Sequence, residues 1–181
     1  MAFNLGKNMQ RLNNIQWQWV VAVIVLLALS RFMPHPPNFT PLGAMAILSG
    51  GLFKSLRLGL AIPLFAMLIS DLLIGLHSSM LFVYAAIALI TLGCHFLLHK
   101  LNLLSMTSAV IFASAVFFLL TNFGAWISHD IYPHNAQGLW LAYVAGVPFL
   151  LNSFLANVCF TALACISLSI LAKPEQSLSH S

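Results

Sequence analysis

Charge is what this sequence has least of. Of 181 residues, seven are Lys or Arg and three are Asp or Glu. A typical soluble domain is about 25% charged, because its surface must be solvated. Here the charged share is 6% against 61% hydrophobic residues, with a mean hydropathy of +0.97. Ten charges cannot clothe a soluble surface of this size, so the expected solvent for most of the chain is lipid. That argues against a soluble enzyme, a nucleic-acid binder and a disordered chain. The net charge of +4 reads as cytoplasmic anchoring of loops, with no nucleic-acid partner expected.

Other absences narrow the function. The acids are Asp71, Asp130 and Glu175, so no apolar run holds a pair of carboxylates for acid–base work. Cys94, Cys159 and Cys165 all fall in apolar stretches and form no CxxC pair. They read as small buried hydrophobes rather than a disulfide framework. There is no HExxH, no nucleophile elbow and no phosphate-binding Walker loop. No enzyme is expected, and no cofactor. His35, His77, His129 and His134 lie in separate loops without ligand spacing, so no metal site is expected there. His95 and His99 share a helical face beside Lys100 and read as interfacial polarity.

What is present is a series of long apolar runs. Residues 1–16 are polar and basic and read as a cytoplasmic segment. A first span runs 17–33, with Trp17 and Trp19 as interfacial anchors. A cleaved signal would look similar, but no convincing small-x-small site follows Leu29. The Pro34–Pro41 loop cannot be helical, and Thr40-Pro41 should cap a short Gly/Ala-rich second helix at 41–53. Ala46 and Gly50, four apart, suit close helix packing at the centre of a bundle. Further spans are expected at 58–76, 80–99, 104–128 and 148–172, with an interfacial helix at 138–147 and a polar tail at 173–181. The expected fold is an all-α integral membrane bundle of six transmembrane helices, one domain over 17–172.

Six crossings put Lys7, Arg11, Lys54, Arg57, Lys100 and Lys173 on one side and Arg31 alone on the other. If 41–53 did not cross, the basic residues would divide against the rule. The positive-inside rule therefore favours six crossings with both termini cytoplasmic. Six spans of about 20 residues leave no room for a soluble domain, so any energy for transport must come from a gradient or a partner chain.

With that topology the polar residues gather at the outer ends of the helices. Asp71 is the most informative, because a carboxylate within a span faces a partner or a wet cavity. Arg31 is its natural counter-ion. Candidate ligand contacts are Arg31, Asn38, Asp71, His77, Asn122, Trp126, Tyr132 and His134. The last span carries Ser153, Asn157, Thr161 and Cys165 every fourth residue, a stripe that must face the bundle.

The segments PHPPNFTPLGAMAILSGG after Arg31, Asp71-Leu72-Leu73-Ile74-Gly75, Met80-Leu81-Phe82-Val83-Tyr84, Asn122-Phe123-Gly124-Ala125-Trp126 and Tyr132-Pro133-His134 together carry a resemblance. Over about residues 17–172 the chain resembles a family of small bacterial inner-membrane proteins of undefined function, regarded as transporters. In size, span number and basic cytoplasmic loops it is also similar to the substrate-binding S-components of energy-coupling-factor transporters. That likeness implies a vitamin-like or other nutrient ligand in an outward cavity, and a membrane partner with ATPases. Solitary cobalamin transporters of that group hold cobalt through an outer cysteine, which is missing here; only His77 and Met80 occupy an outer turn. Nickel and cobalt S-components have a histidine directly after the initiator methionine, whereas this chain opens Met1-Ala2-Phe3. The expectation is a small-molecule uptake protein, and the alternative is a structural or assembly protein whose outer rim binds another membrane protein.

Overall fold

Each apolar run becomes a helix, and polar or helix-breaking residues end it. The computed structural model describes residues 16–98 and 102–171. The expected cytoplasmic segment before Gln16 and the tail 173–181 lie outside the described residues, as do His99, Lys100 and the other terminal basic residues. Helix α1 is Trp17–Leu29, followed by a single 3-10 turn, Ser30–Phe32. The others are α2 Leu42–Leu52, α3 Leu56–Ile74, α4 Met80–Leu97, α5 Leu103–Ser128 and α6 Ala136–Leu171. Among the described residues there is no strand. Helices α3 to α6 are long and apolar enough to cross a membrane, whereas α1 with its turn and α2 are shorter apolar helices.

The boundaries have local causes. Helix α3 stops at Gly75, whose φ of 125° is open to glycine and whose N–H still closes on the Asp71 carbonyl at 2.8 Å. Helix α5 starts with a capping box. The Asn102 side chain accepts from the Ser105 N–H at 2.9 Å, and Ser105 Oγ accepts from the Asn102 N–H at 3.1 Å. Helix α2 begins after Pro41 without the side-chain cap expected from Thr40.

The largest difference from the sequence pattern is α6. The expected interfacial helix and last span are one helix running through Pro148. Proline deletes a single backbone hydrogen bond, and apolar helices packed on neighbours tolerate that loss.

Helix α2 is the axis of the molecule. Leu42 to Gly50 are all buried, and the helix touches every other helix. Its small residues allow this. A Cβ on Gly50 would collide with the Thr91 carbonyl of α4 and sit 2.8 Å from Cys94 Cβ. On the other side, Ser49 Oγ donates to the Gly59 carbonyl of α3 at 2.5 Å.

Contacts also fix the directions. Arg31 pairs with Asp71, so the ends of α1 and α3 meet. Gly93 lies against Phe112 and Gly124 against Phe82, which makes α4 and α5 antiparallel. Tyr143 bonds the Leu119 carbonyl and Asn157 bonds Ser114, which does the same for α5 and α6. Helices α1, α3 and α5 therefore run one way, and α2, α4 and α6 the other. Lys54 and Arg57 sit at the end opposite Arg31.

The outer faces invert the soluble pattern. Leu104 is 78% exposed and Leu81 74%, while Ser114, Ser153, Asn157 and Thr161 are buried. An apolar exterior of this kind is compatible with a membrane.

Candidate ligand cavity and its ion pair

Arg31 sits on the 3-10 turn that ends α1. Its Nη2 lies 2.7 Å from Asp71 Oδ1. The approach is off the hydrogen-bonding direction, so the contact is an ion pair and Oδ1 has no hydrogen-bond donor among the described residues. Nη1 donates to Ser70 Oγ and to Met67 Sδ, the latter at 3.1 Å. Ser70 Oγ in turn donates to the Met67 carbonyl at 2.9 Å. Tyr84 of α4 donates its hydroxyl to Asp71 Oδ2 at 3.0 Å. The Asp71 side chain is 1% exposed and that of Arg31 11%. A carboxylate so deep is tolerable because a guanidinium and a phenol both face it. The pairing read from sequence is the one the fold makes.

Beside Arg31, at the same end of the bundle, opens a cavity of about 460 Å³. The proline loop and the start of α2 contribute Asn38, Thr40 and Leu42. The loop before α4 and its first turns contribute His77, Ser79 and Val83. The far wall is the C-terminal end of α5 with Phe117, Thr121, Asn122 and His129, closed by Tyr132 and by Gly146 and Phe149 of α6. Asn38 makes the loop possible. Its φ is 59°, a conformation asparagine tolerates better than most residues. The loop is then clipped to α6, because Asn152 Nδ2 donates to the Pro37 carbonyl at 3.0 Å.

Five residues singled out in the sequence line this cavity: Arg31, Asn38, His77, Asn122 and Tyr132. Asp71 is behind Arg31 and off the wall. Trp126 and His134 are also off the wall and hold each other. Trp126 Nε1 donates to the Pro133 carbonyl at 3.0 Å, and His134 Nε2 lies 3.0 Å from the Trp126 carbonyl. That fastens the loop between α5 and α6. Phe117, Ser79, Gly146 and Phe149 were not singled out, since in sequence they look like any packing residue of a span.

The polar atoms divide into committed and free. His129 Nδ1 faces the Ala125 carbonyl at 3.2 Å, and its Nε2 lies 3.0 Å from Ser78 Oγ. A carbonyl can only accept, so Nδ1 carries a proton. Asn122 Nδ2 donates to the Phe118 carbonyl at 2.8 Å, with its Oδ1 over the bare backbone of Gly146. The Asn38 carboxamide and the hydroxyls of Thr40 and Tyr132 have no side-chain hydrogen bond among the described residues.

A second, smaller space lies beside the cavity. A void of about 10 Å³ lies between Asn38, Thr40, Gly43, Phe117, Ser153 and Asn157, about the room one water needs. Below it Asn157 Nδ2 donates to Ser114 Oγ at 2.9 Å. Gly43 lacks a Cβ where the Asn157 carboxamide sits. Ser153, Asn157 and Thr161 thus face the bundle as the four-residue spacing requires, with Cys165 half-buried.

Charge on the wall is balanced. Arg31 is the one formally charged side chain on it, and Asp71 neutralises it from behind. The N-terminal ends of α2 and α4 also meet the cavity, each favouring negative charge by about 0.3–1 kcal/mol. That is smaller than the several kcal/mol needed to desolvate an ion. Among the described residues no group of three His, Cys, Asp or Glu comes together to hold a metal.

Described residues that are helical without strands, with an apolar exterior, four helices long and apolar enough to cross a membrane and a cavity of mixed lining at one end, define a membrane-compatible helical protein. The chain belongs to a family of unknown function (DUF6580), whose profile matches residues 11–178. No curated protein and no solved structure matches it.

Proposed function

We propose that this protein is a multi-pass transport protein of the bacterial inner membrane that captures a small molecule in the cavity beside Arg31. The observation that carries the reading is the 460 Å³ cavity itself, where Arg31, Asn38, Thr40, His77, Asn122 and Tyr132 share the wall with apolar side chains. Pockets of this size take molecules of metabolite dimensions.

In this reading the chain crosses six times with both termini cytoplasmic. The alternating helix directions support it, as do Lys54 and Arg57 at the end opposite Arg31. Helix α2 is only about 16 Å long, too short to span alone. It is buried along Leu42–Gly50 and so has no lipid to face, and in this reading the exposed proline loop above it lies at the water-facing end of the bundle. The cavity then opens away from the cytoplasm, as in S-components, and a coupling partner with ATPases is one source of energy.

Native mass spectrometry of gently purified protein tests the reading. A small molecule should co-purify with the wild type and be lost from Gly146→Leu, whose side chain enters the cavity, while helix content is kept. Retention of the same molecule by a folded Gly146→Leu protein sinks the assignment and favours a structural or assembly role.

A further inference from the structure

The chemistry of the wall goes further than its size. We propose that the cavity takes an uncharged molecule rich in oxygen acceptors and bearing one flat apolar face. This rests on the reading of the cavity as the ligand site.

Three observations carry it. First, the wall has no net charge to offer an ion. Arg31 is the lone formal charge on it, and the carboxylate of Asp71 sits 2.7 Å from its Nη2. Nη1 is committed to Ser70 and Met67. An anionic ligand would be desolvated against a guanidinium already neutralised from behind. A cation would find no acid on the wall at all.

Second, the uncommitted groups suit oxygen. A guanidinium carries five N–H donors, more than Ser70 and Met67 take up. The Asn38 carboxamide and the Thr40 and Tyr132 hydroxyls add further donors. Carbonyl, ether and hydroxyl oxygens can accept from all of them without bringing charge. Third, Val83, Phe117 and Phe149 supply an apolar side to the same space, where a ring or other flat hydrocarbon face would lie.

Asp71 is therefore a positioning and charge-masking residue, acting on the ligand only through Arg31. Its removal should change which charge the cavity prefers, and a merely structural carboxylate would not do that.

The test uses purified full-length protein in lipid nanodiscs and equilibrium dialysis against a defined library. The library is built as matched sets, each scaffold of about 10–20 heavy atoms present as carboxamide, carboxylate and primary amine. Wild-type protein should enrich carboxamides over their carboxylate and amine partners by about tenfold or more, and Gly146→Leu should abolish the enrichment. Asp71→Asn, which leaves Arg31 unmasked, should shift the preference toward carboxylates. Enrichment of carboxylates or amines over carboxamides by the wild type, lost in Gly146→Leu, overturns the uncharged ligand but keeps the cavity. No enrichment sensitive to Gly146→Leu overturns the cavity reading and this inference with it. An unchanged preference in folded Asp71→Asn overturns the masking role. The wild-type ranking decides the ligand class even if Asp71→Asn does not fold.

Discussion

The two ends of this bundle are packed by opposite means. At the end near Lys54 and Arg57, glycine lets backbone meet backbone: a Cβ on Gly50 would collide with the Thr91 carbonyl, and one on Gly59 would lie 3.2 Å from the Ser49 carbonyl. At the Arg31 end, glycine makes room for amide side chains, with Asn122 over Gly146 and Asn157 over Gly43. The first kind of contact brings helix backbones into direct contact. The second holds helices together while keeping hydrogen-bonding groups beside a cavity. One residue type thus builds a closely packed end and one that opens on a cavity, depending on what lies opposite.

The comparison is broken most severely by attacking the charge at the open end. Asp71→Ala leaves the Arg31 guanidinium buried without a counter-ion and should cost about 3–5 kcal/mol. The pair Arg31→Met with Asp71→Leu removes both charges and should recover most of that stability. Thermal unfolding in nanodiscs reads both. If the double substitution were as damaged as the single, the pair would not be an isolated electrostatic unit.

Next in size is Tyr84→Phe, which removes the phenol donating to Asp71 Oδ2. Hydrogen bonds to charged groups contribute about 1.5–3 kcal/mol. Chemical denaturation should show a loss in that range, and in an Asp71→Leu, Arg31→Met background the same change should cost much less.

The pairing of Arg31 with Asp71 was legible because charge is so scarce: a lone acid in a span and a lone basic residue at the same end have few other partners. Most helices and their approximate limits were legible from apolar runs and their breakers. What was hidden depended on register between distant segments. Nothing in the order Asn122 and Gly146 says that one sits on the other. Trp126 and His134 were reasonable ligand contacts by composition, but the backbone between them turns its carbonyls toward their ring nitrogens and ties them into the loop. The continuity of α6 was hidden for a different reason, because Pro148 signals a break by propensity and apolar packing overrides it.

At the closely packed end, Gly50→Ala should cost about 1–3 kcal/mol. The added methyl meets the Thr91 carbonyl, which belongs to the α4 backbone and cannot move aside without shifting the helix. Hydrogen exchange in α2 and α4 should rise along with the drop in melting temperature.

The smallest effect is expected from the same substitution at the open end, and it is the sharpest check on the contrast. In Gly146→Ala the methyl meets Asn122 Oδ1, the tip of a side chain with cavity space beside it. The carboxamide can rotate away, giving up its bond to the Phe118 carbonyl, worth about 0.5–1.5 kcal/mol. Alanine in a helix gains about 0.5–1 kcal/mol over glycine and offsets most of it. Melting temperature should therefore barely change, whereas the affinity of whatever occupies the cavity should fall as the displaced amide takes up room. Equal destabilisation by Gly50→Ala and Gly146→Ala would mean that both ends are packed alike, and that the amides at the open end are core residues rather than a yielding wall.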